Sequence, residues 1–347
     1  MEEQEEKYTG GIEQTGPTEE GQLINQIAEE SKSMNELAAA MYAAKQEINK
    51  LLIGMDETID MVFATLLCKG HLLLEGVPGI AKTLLSKLVA RSLDADFSRI
   101  QFTPDLMPSD VVGTNIFNMK NASFEFKQGP IFSNIILIDE INRAPAKTQA
   151  ALFEVMEEGQ ITVDTSTYTL DAPFFVMATQ NPIEQEGTYK LPEAQLDRFM
   201  VKLIAKYPSY EEELAILERF QNDFSQHQIK GVQAVLTKEK IAHLQSLVEK
   251  VHIDRELLVY IAKIISLTRD SGDLFLGASP RASLALLKMS KAMAALRGRT
   301  FVTPDDVKYV AKPVLNHRII LTAEKEIEGG NIFEVIDELI NSVEVPR

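Results

Sequence analysis

The sequence predicts an α/β domain, with helices on both faces of a parallel sheet, followed by an all-helical domain. Three observations carry this. Between about residue 54 and Tyr207, short apolar runs alternate with amphipathic segments, the pattern of strands buried on both faces and joined by crossover helices. Beyond Pro208 almost every segment has helical period. The 347 residues suffice for two domains.

The first 32 residues read as an acidic, disordered tail. Its first twenty positions hold seven Glu against one Lys, with too little apolar surface to fold. Order is expected from Ser33-Met34-Asn35-Glu36, which has capping-box spacing. Leu37, Met41, Ala44, Ile48 and Leu52 then form a helical stripe that ends at Gly54. The expected strands are His71–Leu74, Ser98–Phe102, Ile135–Ile138, Phe174–Thr179 and a run near Phe199–Ile204. The α/β domain is thus placed at 33–207 and the helical domain at 208–347. Ser209-Tyr210-Glu211-Glu212 is a second capping box at the start of the latter. Leu257, Leu258, Ile261, Ile264 and Ile265 make one helical stripe there, and Leu286, Met289, Met293 and Leu296 another.

Lys plus Arg number 35 and Asp plus Glu 51, a net charge of −16, which argues against nucleic acid as the main partner. The single cysteine, Cys68, excludes a disulfide framework and reads as a small buried hydrophobe. Five scattered histidines lack ligand spacing, so no metal site built by the protein alone is expected. Apolar runs are too short to span a bilayer, and the Met1-Glu2-Glu3 start is unlike a signal peptide. The expectation is a soluble, cytoplasmic protein.

Gly76-Val77-Pro78-Gly79-Ile80-Ala81-Lys82-Thr83 follows the first expected strand and opens a helix, the context of a P-loop. Backbone N–H groups and a helix N-terminus there cradle phosphates, Lys82 reaches the β/γ oxygens, and Thr83 holds Mg²⁺. Ala81 stands where the general motif has a second glycine. The strand Ile135–Ile138 delivers Asp139 and Glu140, placed to hold the water shell of Mg²⁺ and to polarise an attacking water. Phe174–Thr179 delivers Gln180-Asn181-Pro182 to the same edge, where an amide can orient that water. Three strands bringing complementary groups to one edge point to binding and hydrolysis of a nucleoside triphosphate.

These motifs resemble the MoxR family of AAA+ ATPases, in the helix-2-insert branch. The resemblance rests on Gly76–Thr83, on Gln101–Asp110 and on Asp139-Glu140-Ile141-Asn142-Arg143-Ala144-Pro145. It extends to Ala178–Glu184, Leu191–Phe199 and Gly277–Ala282, running in order from about Ile53 to about Arg318. Ala81 is itself what that family shows at its position. The resemblance implies ATP and Mg²⁺ as cofactors, held by Gly76 to Leu84, with Ile53-Gly54 as the adenine-pocket turn. It implies that Asn181 reads the γ-phosphate, that Arg198 enters the neighbouring subunit's site, and that Arg281 contacts nucleotide in its own chain. A surface ion pair to Asp197 or Glu193 is the alternative for Arg198. Ser279 and Pro280 place Arg281 in a first helical turn, where a cation opposes the helix dipole unless an anion is near.

Two insertions are also implied, one from Thr103 to about Phe132. The other, Gln160–Val163 and Tyr168–Leu170, reads independently as a β-hairpin with a polar turn. The family's members form rings, typically hexamers. They remodel or mature protein partners, often ones with a von Willebrand factor A domain. A nucleic-acid or chelatase motor subunit of the same branch is the alternative, and a small-molecule kinase ranks last.

Overall fold

The computed structural model describes residues 19–77, 79–164, 166–181, 189–221 and 231–346, with side chains from residue 28 onward. Five strands form one sheet: β1 (Leu72–Glu75), β2 (Phe97–Gln101), β3 (Ile135–Asp139), β4 (Phe175–Gln180) and β5 (Val201–Ile204). Their order is β2-β3-β4-β1-β5, and every pairing is parallel. Each predicted apolar run holds a strand, shifted by a residue or two at its ends.

The continuous apolar character of the runs follows from the two-residue period of a strand. Leu72, Leu74, Ile135, Leu137, Phe175 and Met177 face one core, while Leu73, Ile136, Ile138, Val176 and Ala178 face another. Helices α1 (Glu19–Asn49), α2 (Asp56–Leu67) and α3 (Lys82–Ser92) contribute to the first core. Helix α4 (Ala146–Glu158) covers the second with Leu152, Phe153, Val155 and Met156.

The expected start at Ser33 is corrected. Helix α1 begins at Glu19, and the Ser33 hydroxyl donates to the Glu29 carbonyl within it at 2.9 Å instead of capping it. Residues 1–18 of the expected tail lie outside the described residues. The residues of the apolar stripe, Leu37, Met41, Ala44, Ile48 and Leu52, are all buried, but the helix ends at Asn49, so Leu52 lies beyond it. Cys68 caps the C-terminus of α2, and its buried thiol, pushed up to about 12 by burial, donates to the Lys288 carbonyl.

The helical part of the chain contains α5 (Tyr210–Phe220), α6 (Lys238–Lys250), α7 (Arg255–Asp270), α8 (Pro280–Leu296), α9 (Pro304–Leu315) and α10 (Ile332–Ser342), with a shorter helix, Ala323–Ile327, before the last. Ser209 and Glu212 cap α5 reciprocally, as their spacing predicts. The domain is not purely helical: Leu274–Leu276 pairs antiparallel with Ile320–Leu321. Leu258 leaves its predicted stripe and is 41% exposed, because Leu257, Ile261, Ile264 and Ile265 already fill the buried arc of α7.

Both insertions project from the second core. The first holds a short helix, Pro108–Val112, and a hairpin, Gly113–Asn118 with Ser123–Gln128. The second hairpin pairs Gln160–Val163 with Ser166–Thr169, a return strand starting two residues earlier than read. Phe126 stacks on Tyr168, and Asn115 donates to Asp164, so the hairpins pack together. Among the described residues no helix is long and apolar enough to cross a membrane.

Candidate functional site

Beyond Glu75 the chain loops back into α3, and this loop is built for close approach. A Cβ at Gly76 would sit 2.6 Å from Ile80 Cδ1 and 3.0 Å from the Ala205 carbonyl oxygen. Gly79 has φ +88°, and Ala81, at the N-cap of α3, has φ +55°. Left-handed backbone costs a residue with a Cβ about 1–2 kcal/mol, so Ala81 holds a strained turn at the start of α3. Lys82 Nζ reaches across this loop and donates to the Gly76 carbonyl at 2.5 Å. Burial pushes the Lys82 ammonium below the usual lysine range, opposed by the charges of Asp139, Glu140 and Glu75. Pro78 lies outside the described residues.

The acid pair ends β3 beside this loop. Asp139 is buried, and its carboxylate takes Arg99 Nε at 2.6 Å and the Thr179 hydroxyl at 3.2 Å. Glu140 has φ +58°, and its N–H donates to Thr179 Oγ1 at 3.1 Å. Its carboxylate accepts from Gln101 Nε2 at 2.9 Å and pairs with Arg143 Nε at 2.9 Å. Asn181 is buried one residue past β4. The Gly76 N–H donates to the Gln180 carbonyl at 3.2 Å, which ties the loop to that strand. The loop, Lys82, Thr83, Asp139, Glu140 and Asn181 thus share one sheet edge. Residues 182–184 of the Ala178–Glu184 motif lie outside the described residues. The donor set suits a magnesium nucleotide: a close-approach glycine loop, a cation and a helix N-terminus for phosphates, and a hydroxyl with a carboxylate for the metal.

Arg198 and Arg281 are elsewhere. Helix α4 runs back antiparallel to the strands, so its end lies at the opposite sheet edge. There His71, just before β1, hydrogen-bonds the Met156 carbonyl at 3.1 Å. The next residue, Glu157, pairs with Arg198 Nη1 at 2.8 Å and, through its other oxygen, with Arg281 Nη2. Arg198 also donates to the Phe153 carbonyl at 2.7 Å. Four residues of β1 separate the two edges, about 13 Å at the rise of a strand. Arg281 is therefore paired at the edge opposite its own P-loop in this structure. The anion needed by a cation in the first turn of α8 is Glu157. Arg198 does pair with a carboxylate, but not with the two named from sequence; Asp197 is taken by Arg318 at 2.7 Å.

Sequence reading missed Arg99, Gln101 and Thr179 as partners of the acid pair, and Glu157 as the anchor of both arginines. Arg99 and Gln101 alternate along β2, whose register sets Gln101 beside Asp139. That two-residue spacing was the available signal. Nothing local marks Glu157.

A P-loop entering a helix, an acid pair ending the third strand and a polar residue ending the fourth define an ATPase core of the AAA class. Comparison with known proteins agrees. Residues 71–201 match the model described as "ATPase family associated with various cellular activities (AAA)", and residues 266–339 match the "AAA lid domain". The protein YeaC of Bacillus subtilis, described as uncharacterized, is 48% identical over 303 residues, covering 87% of this chain and 94% of that protein. Chaperone MoxR1 of Mycobacterium tuberculosis is 40% identical over 323 residues, covering 90% and 84%. A crystal structure from Cytophaga hutchinsonii superposes with a TM-score of 0.85 at 41% identity, covering 94% of this chain and 100% of that one. The chain belongs to the MoxR family of AAA+ ATPases.

Proposed function

We propose that this chain hydrolyses ATP at a site completed by a neighbouring copy, within a cytoplasmic ring of six, and uses the cycle to remodel a protein partner. The observation that carries this reading is the division of the site. One chain presents the phosphate loop, acid pair and Asn181 at one sheet edge, and the arginines Arg198 and Arg281 at the other. Head-to-tail contacts between copies join the two halves and generate a closed ring.

Bound Mg²⁺ neutralises phosphate charge, and the residues of the chain do the rest. Loop N–H groups and Lys82 hold the phosphates, while Thr83 and Asp139 face the metal. Glu140 polarises water, and Asn181 orients it near the γ-phosphate. Thr179 holds Asp139 and Glu140 together. Ile53 and Gly54 line the adenine pocket. Arg198 and Arg281 of the neighbour supply positive charge as the γ-phosphoryl leaves. The description of MoxR1 as a chaperone supports the remodelling role. A partner with a von Willebrand factor A domain is the one proposed.

The test is sedimentation with Mg²⁺ and a slowly hydrolysed ATP analogue. The protein should grow beyond monomer to a hexamer, and ring-trapped Glu140→Gln should co-purify its partner. A strict monomer with full ATPase activity would overturn the reading.

A further inference from the structure

The segment leading into β5 carries Arg198 between residues that the helical domain grips. Asn316, His317 and Arg318, just past α9, lie against it. The Arg318 side chain is 3% exposed, and its donors reach a carboxylate and four carbonyls. Nε donates to Asp197 Oδ1 at 2.7 Å, and Nη1 to the carbonyls of Met200 at 3.0 Å and Val314 at 2.5 Å. Nη2 donates to the carbonyls of Asp197 at 3.2 Å and Phe199 at 2.6 Å. All five N–H groups of the guanidinium are used. Asn316 adds a bond to the Lys202 carbonyl at 2.9 Å.

Asp197 is held from a second side. Its Oδ2 accepts from the Ser279 hydroxyl at 2.8 Å, and Ser279 in turn accepts from the Arg281 N–H at 3.2 Å as the N-cap of α8. One carboxylate therefore connects Arg318, the segment bearing Arg198 and the helix end bearing Arg281. Burying a guanidinium among carbonyls is a poor way to gain stability, since apolar residues of similar volume often do as well. Its advantage is geometry: a planar fork fixes the backbone on both sides of Arg198 at once.

We propose that Arg318 is a positioning residue that, through Asp197 and Ser279, presents Arg198 and Arg281 as one rigid unit to the neighbouring copy. This rests on the reading that Arg198 acts on a neighbour's nucleotide. The arrangement makes the seating of one copy's helical domain a condition for hydrolysis in the next.

Two variants test it, Arg318→Lys, which cannot span the five acceptors, and Asp197→Ala, which removes a partly exposed link. Each is checked by thermal melting and nucleotide binding. Nucleotide affinity should stay near wild type, while hydrolysis falls about 100-fold, the cost of displacing a reacting group by about 1 Å. Each variant keeps an intact P-loop and acid pair, so mixing with Glu140→Gln should restore activity, as the same mixing should for Arg198→Ala. Loss of folding cannot produce that rescue, and if Arg318→Lys fails to fold, Asp197→Ala carries the test alone. Wild-type hydrolysis in the variants, with Arg198→Ala inactive, overturns the positioning role only. So do folded, nucleotide-binding variants that Glu140→Gln fails to rescue. Wild-type hydrolysis by Arg198→Ala overturns this inference together with the reading beneath it.

Discussion

His71 ties the start of β4 to the end of α4 at the edge that carries Glu157, and its titration gives a prediction with a magnitude. Its Nε2–H donates to the Met156 carbonyl beside Glu157, and its Nδ1 accepts the Val176 N–H of β4. The second bond needs the neutral ring, because a protonated Nδ1 cannot accept. Burial pushes His71 down to about 4 from an ordinary 6.5, against a smaller opposing effect of the Met156 bond. Above pH 6.5 neither folded nor unfolded chain carries the proton, and the stabilisation is fully present. As pH falls from 6.5 toward 4 the unfolded chain takes up a proton that the folded one refuses, so stability is lost. The linkage amounts to about 2 kcal/mol at pH 5 and about 3 kcal/mol at pH 4. His317 is also buried and held well below its ordinary value, so it adds loss in the same window. Urea unfolding of wild type and His71→Gln at pH 7.5, 5 and 4 isolates the His71 share, because the contribution of His317 cancels in the difference. The variant should be less stable than wild type at pH 7.5, with the gap closing as pH falls. A gap independent of pH would refute the assignment of a buried neutral ring.

Lys82→Ala should abolish ATP binding, while Glu140→Gln should keep it and lose hydrolysis; equilibrium binding with single-turnover kinetics separates the two. Thr179→Val removes the hydroxyl shared by Asp139 and the Glu140 N–H, so hydrolysis should fall at least about tenfold at little cost in binding, read as kcat against KM. Gly113→Ala would put a Cβ 2.3 Å from the Lys127 carbonyl oxygen at φ +103°, and should open the first hairpin to limited proteolysis while costing about 3 kcal/mol in unfolding experiments.

The sheet was legible because strands buried on both faces must be apolar throughout, as Ile135-Ile136-Leu137-Ile138 is. The phosphate loop and acid pair were legible because their chemistry is carried by neighbours in sequence at strand ends. The start of α1 was not, because the stretch before Ser33 is polar and reads as a tail, although a helix can run on through polar residues. The placement of Arg281 was missed for a different reason. Its helix position could be read locally, but its anion, Glu157, lies 124 residues away and is set by the return of α4 under the sheet. Arg318 gave no sequence signal of its function, since its partners are mostly backbone carbonyls that any sequence could supply.

The central claim is that both arginines complete a neighbour's site. The most direct test mixes Glu140→Gln with the double variant Arg198→Ala/Arg281→Ala, each inactive alone, under conditions that exchange subunits. A double-variant copy keeps its P-loop and acid pair, and an adjoining Glu140→Gln copy offers both arginines. Mixed rings should therefore regain activity to the same extent as mixtures made with the single variant Arg198→Ala. Mixed rings confirmed by mass that regain activity with Arg198→Ala but not with the double variant would place Arg281 on its own chain's nucleotide. Rings showing no rescue with either would contradict the shared site altogether.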